Sequence, residues 1–195
     1  MIILETERLI LRDFVKEDIA KRIEWETLDT EWHEWDGPWE YENLTPEEQE
    51  KNLQSHIEGL QRFADMISRK SEEDMRYSFQ LIEKATGEYI GWISCYCIDE
   101  DYNYTGEDGL YAFGIDIPPQ SRRGKGYGYE AFKAVLDYLV SHGLTEIYTQ
   151  TWSGNTRMTA LARKLGFQEA GRKIGYRSFR GKQYDAITYK YEILI

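Results

Sequence analysis

One stretch limits what this chain can fold into more than any other. It reads Ile115-Asp116-Ile117-Pro118-Pro119-Gln120-Ser121-Arg122-Arg123-Gly124-Lys125-Gly126-Tyr127-Gly128-Tyr129-Glu130-Ala131. The apolar run from Leu110 to Ile117 stops at two prolines, a basic glycine-rich turn follows, and Ala131, Phe132, Val135, Leu136 and Leu139 then recur at spacings of three and four. The order is strand, glycine loop, amphipathic helix. Such a loop aims backbone N–H groups and the positive end of a helix dipole at one point. Glycine lets a ligand approach the main chain closely. With Arg122, Arg123 and Lys125 at the same spot, a phosphate is the natural guest.

Structural and nucleotide-binding readings of this loop compete. It can be an ordinary strand-to-helix turn. A nucleotide P-loop requires a Gly-Lys-Ser/Thr string that the chain lacks. The segment Gly126 to Ala131 fits the GxGxxA dinucleotide pattern, which also needs an acidic residue closing the next strand. Glu146 stands at the required distance but opens the following apolar run instead of closing it.

At 195 residues the chain is expected to form a single domain, residues 1–195, large enough for its own core. No apolar run approaches the roughly 20 residues of a membrane helix. The start, Met1 to Leu9, lacks a basic region and a cleavage site, which points to the cytoplasm. Cys95 and Cys97 fall on opposite faces of a strand, so they are expected as thiols, and no metal site is expected. The net charge of −11 argues against nucleic acid as a partner and favours a cationic one, an amine or a basic peptide. A monomer or a homodimer fits this composition equally.

The remaining pattern gives the order β-α-α-β-β-β-α-β-α-β-β. Ile2 to Phe14 is expected as one strand with Leu9 and Leu11 on the same face, and Lys16 to Trp25 as a helix. From Glu31 to Tyr41, three tryptophans stand among acids before a Gly-Pro, a loop or broken helix. Its Glu34, Trp35, Asp36 and Trp39 are candidate walls of an amine pocket, because carboxylates and aromatic faces both attract cations. Thr45-Pro46-Glu47-Glu48 predicts a capped helix running to about Ser68, on which His56 reads as structural. Hairpins are expected over Tyr77–Ile98 and Phe167–Ile193, around a polar connector from Asp99 to Gly109. A helix capped at Asn155 or Ser153 runs to Leu165. Hairpins flanking one parallel βαβ unit make a mixed α/β, mostly antiparallel sheet of about six to seven strands, with helices on both faces.

The run Arg123 to Gly128 resembles the R/Q-x-x-G-x-G/A signature of the GCN5-related N-acetyltransferases (GNAT). Leu4-Glu5-Thr6-Glu7-Arg8-Leu9-Ile10-Leu11-Arg12 resembles the first strand of their RimJ/RimL-like branch. Asn155 to Met158 and Lys164 to Phe167 resemble the family's C-terminal helix and strand. The resemblance spans nearly the whole chain and implies the same strand and helix order.

It further implies an acetyl-coenzyme A (acetyl-CoA) co-substrate without a metal. Its pyrophosphate would lie on Arg122, Arg123, Gly124, Lys125, Gly126, Tyr127, Gly128 and Tyr129, and its pantetheine arm along Ile115 and Ile117 and near Asn155. The sheet is expected to splay after this strand, leaving an N–H near Ile117 to face the thioester oxygen. Asp116 is the candidate catalytic carboxylate. The acceptor would be a small cationic amine or a protein N-terminus. Ala162 and Met158 stand where many family members carry a tyrosine and a serine, so the acid that protonates the departing thiolate must be another group, with Tyr127, Tyr129 or water as candidates. An alternative is a non-catalytic acyl-CoA-binding domain, and a dinucleotide-binding domain ranks third.

Overall fold

The computed structural model describes residues 1–106 and 108–192. The chain forms two compact units, Met1–Trp92 with Asp116–Lys125, and Ile93–Ile115 with Gly126–Ile195.

In the first unit, β1 (Ile2–Glu5) and β2 (Leu9–Arg12) are two antiparallel strands where the alternation predicts one. The break is local. The Thr6 N–H donates to the Leu9 carbonyl at 2.9 Å, and the Leu9 N–H donates to Thr6 Oγ1 at 3.0 Å, which reverses the chain between them. Leu9 and Leu11 nonetheless share the buried face, as their spacing requires. β3 (Phe79–Glu83) pairs antiparallel with β2 and leads through a turn into β4 (Tyr89–Ile98).

Helix α1 (Asp18–Thr27) begins two residues later than its apolar spacing suggests. Arg12 holds Asp18 through two 2.7 Å bonds, and Asp18 Oδ2 accepts the Val15 N–H at 3.0 Å. Helix α2 (Pro46–Ile67) begins at the predicted residues: Thr45 Oγ1 accepts the Glu48 N–H, and the Glu48 carboxylate accepts the Thr45 N–H. Leu60 and Ala64 of α2 pack with Phe14.

The tryptophan-rich segment is a broken helix, with 3₁₀ turns at Thr30–Glu34 and Pro38–Glu40. Trp25, Trp32 and Trp92 form an aromatic core edged by Tyr89. Trp32 Nε1 donates to the Trp25 carbonyl at 2.9 Å. Truncating the fully buried Trp25 to alanine would cost about 3–5 kcal/mol.

In the second unit, the latter half of β4 pairs with β5 (Tyr104–Gly106), a strand the polar connector does not announce. Asp99 Oδ1 accepts the Asn103 N–H at 2.7 Å and turns the chain back. β6 (Leu110–Asp116), α3 (Tyr127–Ser141), β7 (Tyr148–Trp152), α4 (Thr156–Leu165), β8 (Phe167–Phe179) and β9 (Lys182–Tyr191) follow. β6 and β7 are parallel; β9 lies between β7 and β8 and is antiparallel to both. Ala131, Phe132, Val135, Leu136 and Leu139, the predicted apolar face of α3, are all fully buried.

Both units follow the expected mixed α/β pattern with mostly antiparallel pairing. Among the described residues there are nine strands, more than the six or seven expected, because the first strand splits and the connector adds β5. Ile193, the expected end of the last hairpin, lies outside the described residues, as does Glu107 of the connector. Among the described residues no helix is long and apolar enough to cross a membrane.

Candidate active site

The bend between β6 and α3 is built from its own residues. Pro119 precedes a 3₁₀ turn at Gln120–Arg122, and Gly124 (φ +73°) and Gly126 (φ +87°) both take the left-handed conformation that side chains resist. Gly126 is the N-cap residue of α3, and no side chain caps this end. The first N–H groups of a helix have no partner within it, so an uncapped start is a set of donors for an anion.

The arginines of the bend are not a free basic patch. Arg122 Nη2 pairs with Glu88 at 2.6 Å and Glu83 at 2.9 Å, carboxylates of the β3–β4 hairpin. Arg123 Nη2 pairs with Glu31 and donates to the Pro118 carbonyl at 2.9 Å. Lys125 is exposed, and its main-chain carbonyl accepts Arg8 Nη1 at 2.9 Å. These pairs use only one nitrogen of each guanidinium. Nε of Arg122, and Nε and Nη1 of Arg123, are enclosed with no acceptor among the described residues. A buried donor left so costs about 1–3 kcal/mol, which an anion would recover.

β6 and β7 pair in parallel. Their register pair is Ala112↔Tyr148, whereas β7 goes on pairing with β9 from Tyr148↔Lys190 to Trp152↔Ala186. Past the end of β7, Asn155 Oδ1 accepts the Met158 N–H at 3.0 Å and caps α4. Met158 and Ala162 are buried on the inner face of α4, so neither position offers a hydroxyl, and Lys164 Nζ stands 4.5 Å over the Tyr129 ring. Tyr127 is buried, and Ile115 and Ile117 are half-buried.

A second constellation lies within the first unit. Arg22 and Glu26 are one turn apart on α1, and the Arg22 guanidinium sits 3.3 Å over the Trp92 ring. Glu26 Oε2 is 3.2 Å from His33 Nε2, and Glu26 Oε1 is 3.7 Å from His56 Nε2. The His33 ring stacks on Tyr41, with centroids 3.5 Å apart.

Asp116 and Asp36 share the field of this group. Burial, then the charges of Asp36 and Glu26, hold the Asp116 carboxyl well above the usual carboxylate range, against the pull of Arg22. Asp36 is raised by burial, Glu26 and Glu40 against His33 and Arg22; the residue as a whole stays exposed, so solvent tempers the effect. Burial, then Asp36, Glu26 and Asp116, push the Tyr41 phenol up. Several carboxylates around one guanidinium make a place where a further cation relieves repulsion.

Of the four wall residues expected from sequence, Asp36 acts on Asp116. Trp35 donates from Nε1 to Glu31 at 3.2 Å, the same carboxylate that holds Arg123; Glu34 is exposed and Trp39 half-buried. Trp25, Trp32 and Trp92 form the aromatic cluster instead. Arg22, Glu26, His33 and Tyr41 were not among the candidates expected from sequence, and His56 was expected as structural. The one local signal was the Arg22–Glu26 spacing. Among the described residues no group of three or more His, Cys, Asp or Glu is arranged to hold a metal ion.

The acetyltransferase (GNAT) domain family matches residues 8–168, a span that runs through both units, and the chain belongs to that family. Comparison with curated protein sequences finds no match. Among solved structures, an acetyltransferase (GNAT family) from Bacillus anthracis is 20% identical, with 98% of each chain covered and a TM-score of 0.67. RimL, a ribosomal L7/L12 alpha-N-protein acetyltransferase in complex with coenzyme A, is 18% identical over 99% of this chain and 98% of its own, with a TM-score of 0.67. A ribosomal-protein-S5-alanine acetyltransferase from Vibrio fischeri is 18% identical over 97% and 95%, with a TM-score of 0.62. At these identities the likeness is one of fold.

Proposed function

We propose that this protein transfers the acetyl group of acetyl-CoA to a primary amine, by direct attack of the amine while both substrates are bound. The observation that carries the reading is the bend into α3: two left-handed glycines, a helix start that no side chain caps, and enclosed arginine N–H groups seeking an anion. The diphosphate would be held by N–H groups of Gly124 to Tyr129 with Arg122, Arg123 and Lys125. The pantetheine arm would lie along Ile115 and Ile117, with Asn155 beside it. Bound acetyl-CoA supplies an activated thioester carbonyl. The Ile117 N–H would polarise it, since a fixed donor is strongest where charge develops.

Asp36 and Asp116, with Trp35, Trp39 and Glu34 nearby in sequence, are the proposed acceptor side. Their carboxylates support an acceptor that arrives as an ammonium. The names of RimL and of the S5-alanine acetyltransferase favour a protein N-terminus. The carboxylate cluster equally suits a small cationic amine. Cys95 and Cys97, unbridged, support a cytoplasmic setting.

Release of free thiol from acetyl-CoA, measured across a panel of small amines and a panel of peptides, tests the reading and separates the acceptors. Saturable release with one class is the expected result. Coenzyme A binding without release from any member of either panel would instead favour an acyl-CoA-binding domain, a reading supported by the buried Met158 and Ala162.

A further inference from the structure

We infer that Glu26 and His56 form a proton exit for the acceptor ammonium, with His33 as the residue that positions Glu26. The inference rests on the acetyltransferase reading above and deepens it at one site.

The three residues come from different segments, the end of α1, the 3₁₀ turn at Thr30–Glu34 and the middle of α2, yet their polar atoms converge. Glu26 presents one oxygen to each imidazole, at 3.2 Å to His33 and 3.7 Å to His56. The first distance is a hydrogen bond; the second is too long for one and leaves His56 Nε2 enclosed with no hydrogen-bond partner. The rest of the ring differs, because 33% of the His56 side chain is exposed. One imidazole thus has an enclosed nitrogen toward a carboxylate and another part of its surface in solvent, the arrangement of a proton shuttle.

The charged groups facing His56 are Glu26 and Arg22 of α1. Burial and Arg22 lower its affinity for a proton, and Glu26 opposes them. His56 therefore rests neutral near pH 7 and is able to accept a proton. Glu26 reaches the proposed acceptor site through His33, whose ring stacks on Tyr41, and its charge is felt by Asp36, Tyr41 and Asp116. His33 is fixed by its stacking on Tyr41 and by the edge of Trp32, 4.5 Å away. Fixing His33 fixes the Glu26 oxygen bonded to it.

The proton balance is complete. An N–H bond of the ammonium breaks and an O–H bond forms on Glu26. That proton passes to Nε2 of His56, and the imidazolium loses a proton to water. The freed nitrogen lone pair bonds the thioester carbonyl carbon, the C–S bond breaks with its electron pair on sulfur, and the proton still to be lost by nitrogen ends on that sulfur.

Two readouts test this on the full chain. The chain has three histidines, so their ring signals are separable by NMR. In Glu26→Gln the His56 ring should titrate at lower pH than in the wild type, because a negative charge near it is gone, with no change at His142. With the amine found by the thiol-release panels, Glu26→Gln and His56→Gln should lower kcat/KM about 100-fold at pH 7. The loss should shrink as pH rises toward the amine's own pKa, where the acceptor no longer needs a base. His33→Gln should act in the same direction more weakly. An unmoved His56 titration would overturn the Glu26–His56 coupling and the proton exit with it. A moved titration with a rate loss equal at every pH would overturn the proton role, leaving a structural one. A wild-type chain that shows the His56–Glu26 coupling but acetylates no amine would overturn the transferase reading, and the proton exit with it.

Discussion

Gly91 on β4 lies against the main chain of Asp116 so closely that a Cβ atom placed on it would meet the Asp116 carbonyl oxygen at 2.1 Å and the Ile117 Cα at 3.0 Å. Neither obstacle is the far end of a flexible side chain, so the backbone itself must shift. Gly91→Ala should cost about 1–3 kcal/mol by overpacking, read as a lower melting temperature. Because the displaced segment carries Asp116 and the proposed thioester donor at Ile117, acetyl transfer should fall further than stability. An unchanged melting temperature would show that the two segments are free to separate.

Asp116 should be a stability liability that its position imposes. Its folded carboxyl titrates above the unfolded one, which has an ordinary value near 3.8. Between those two pH values the folded chain holds a proton that the unfolded chain has lost. Stability therefore falls as pH rises through that window, and the penalty is complete above the folded value. Asp116→Asn should raise the melting temperature at pH 7, with the gain fading as pH is lowered toward 4. Melting curves across this range check the sign; a gain that grows on acidification would contradict it.

The buried pair Asp13–Arg76 should depend on both partners being present. Arg76 Nε donates to Asp13 Oδ1 at 2.9 Å, with side-chain exposures of 2% and 7%. Arg76→Met leaves the enclosed Asp13 carboxylate with only the Met1 ammonium, 3.7 Å away, and should cost about 3–5 kcal/mol. The double variant with Asp13→Leu should be less destabilised than Arg76→Met alone, because both charges are then gone. Denaturant midpoints for the single and double variants decide this; a double variant that loses the sum of two large penalties would contradict it.

What was legible in the sequence was mostly local. The Thr45–Glu48 capping box, the Asn155 cap and the buried face of α3 depend on residues a turn apart, and each appears at its predicted position. The bend was legible for the same reason. The first strand was misread because Ile2 to Phe14 alternates smoothly through Thr6, whose hydroxyl closes a turn that periodicity does not register. The partners of Arg122 and Arg123 were hidden, since Glu83, Glu88 and Glu31 are 34 to 92 positions away and arrive only through tertiary structure. The Glu26 cluster was hidden likewise: His56 reads as part of a helix face, and nothing near it in sequence announces a carboxylate.

The most direct test of the central claim is a calorimetric titration of coenzyme A into the wild-type chain, Gly126→Glu and Gly126→Asn. Glutamate at this left-handed position costs about 1–2 kcal/mol of backbone strain and brings a negative charge to the helix start. Asparagine tolerates the backbone angle better and brings no charge. Saturable binding to the wild type, weaker binding to Gly126→Asn and none to a folded Gly126→Glu is the predicted result. Equal affinity in all three would mean that the bend before α3 does not hold the diphosphate.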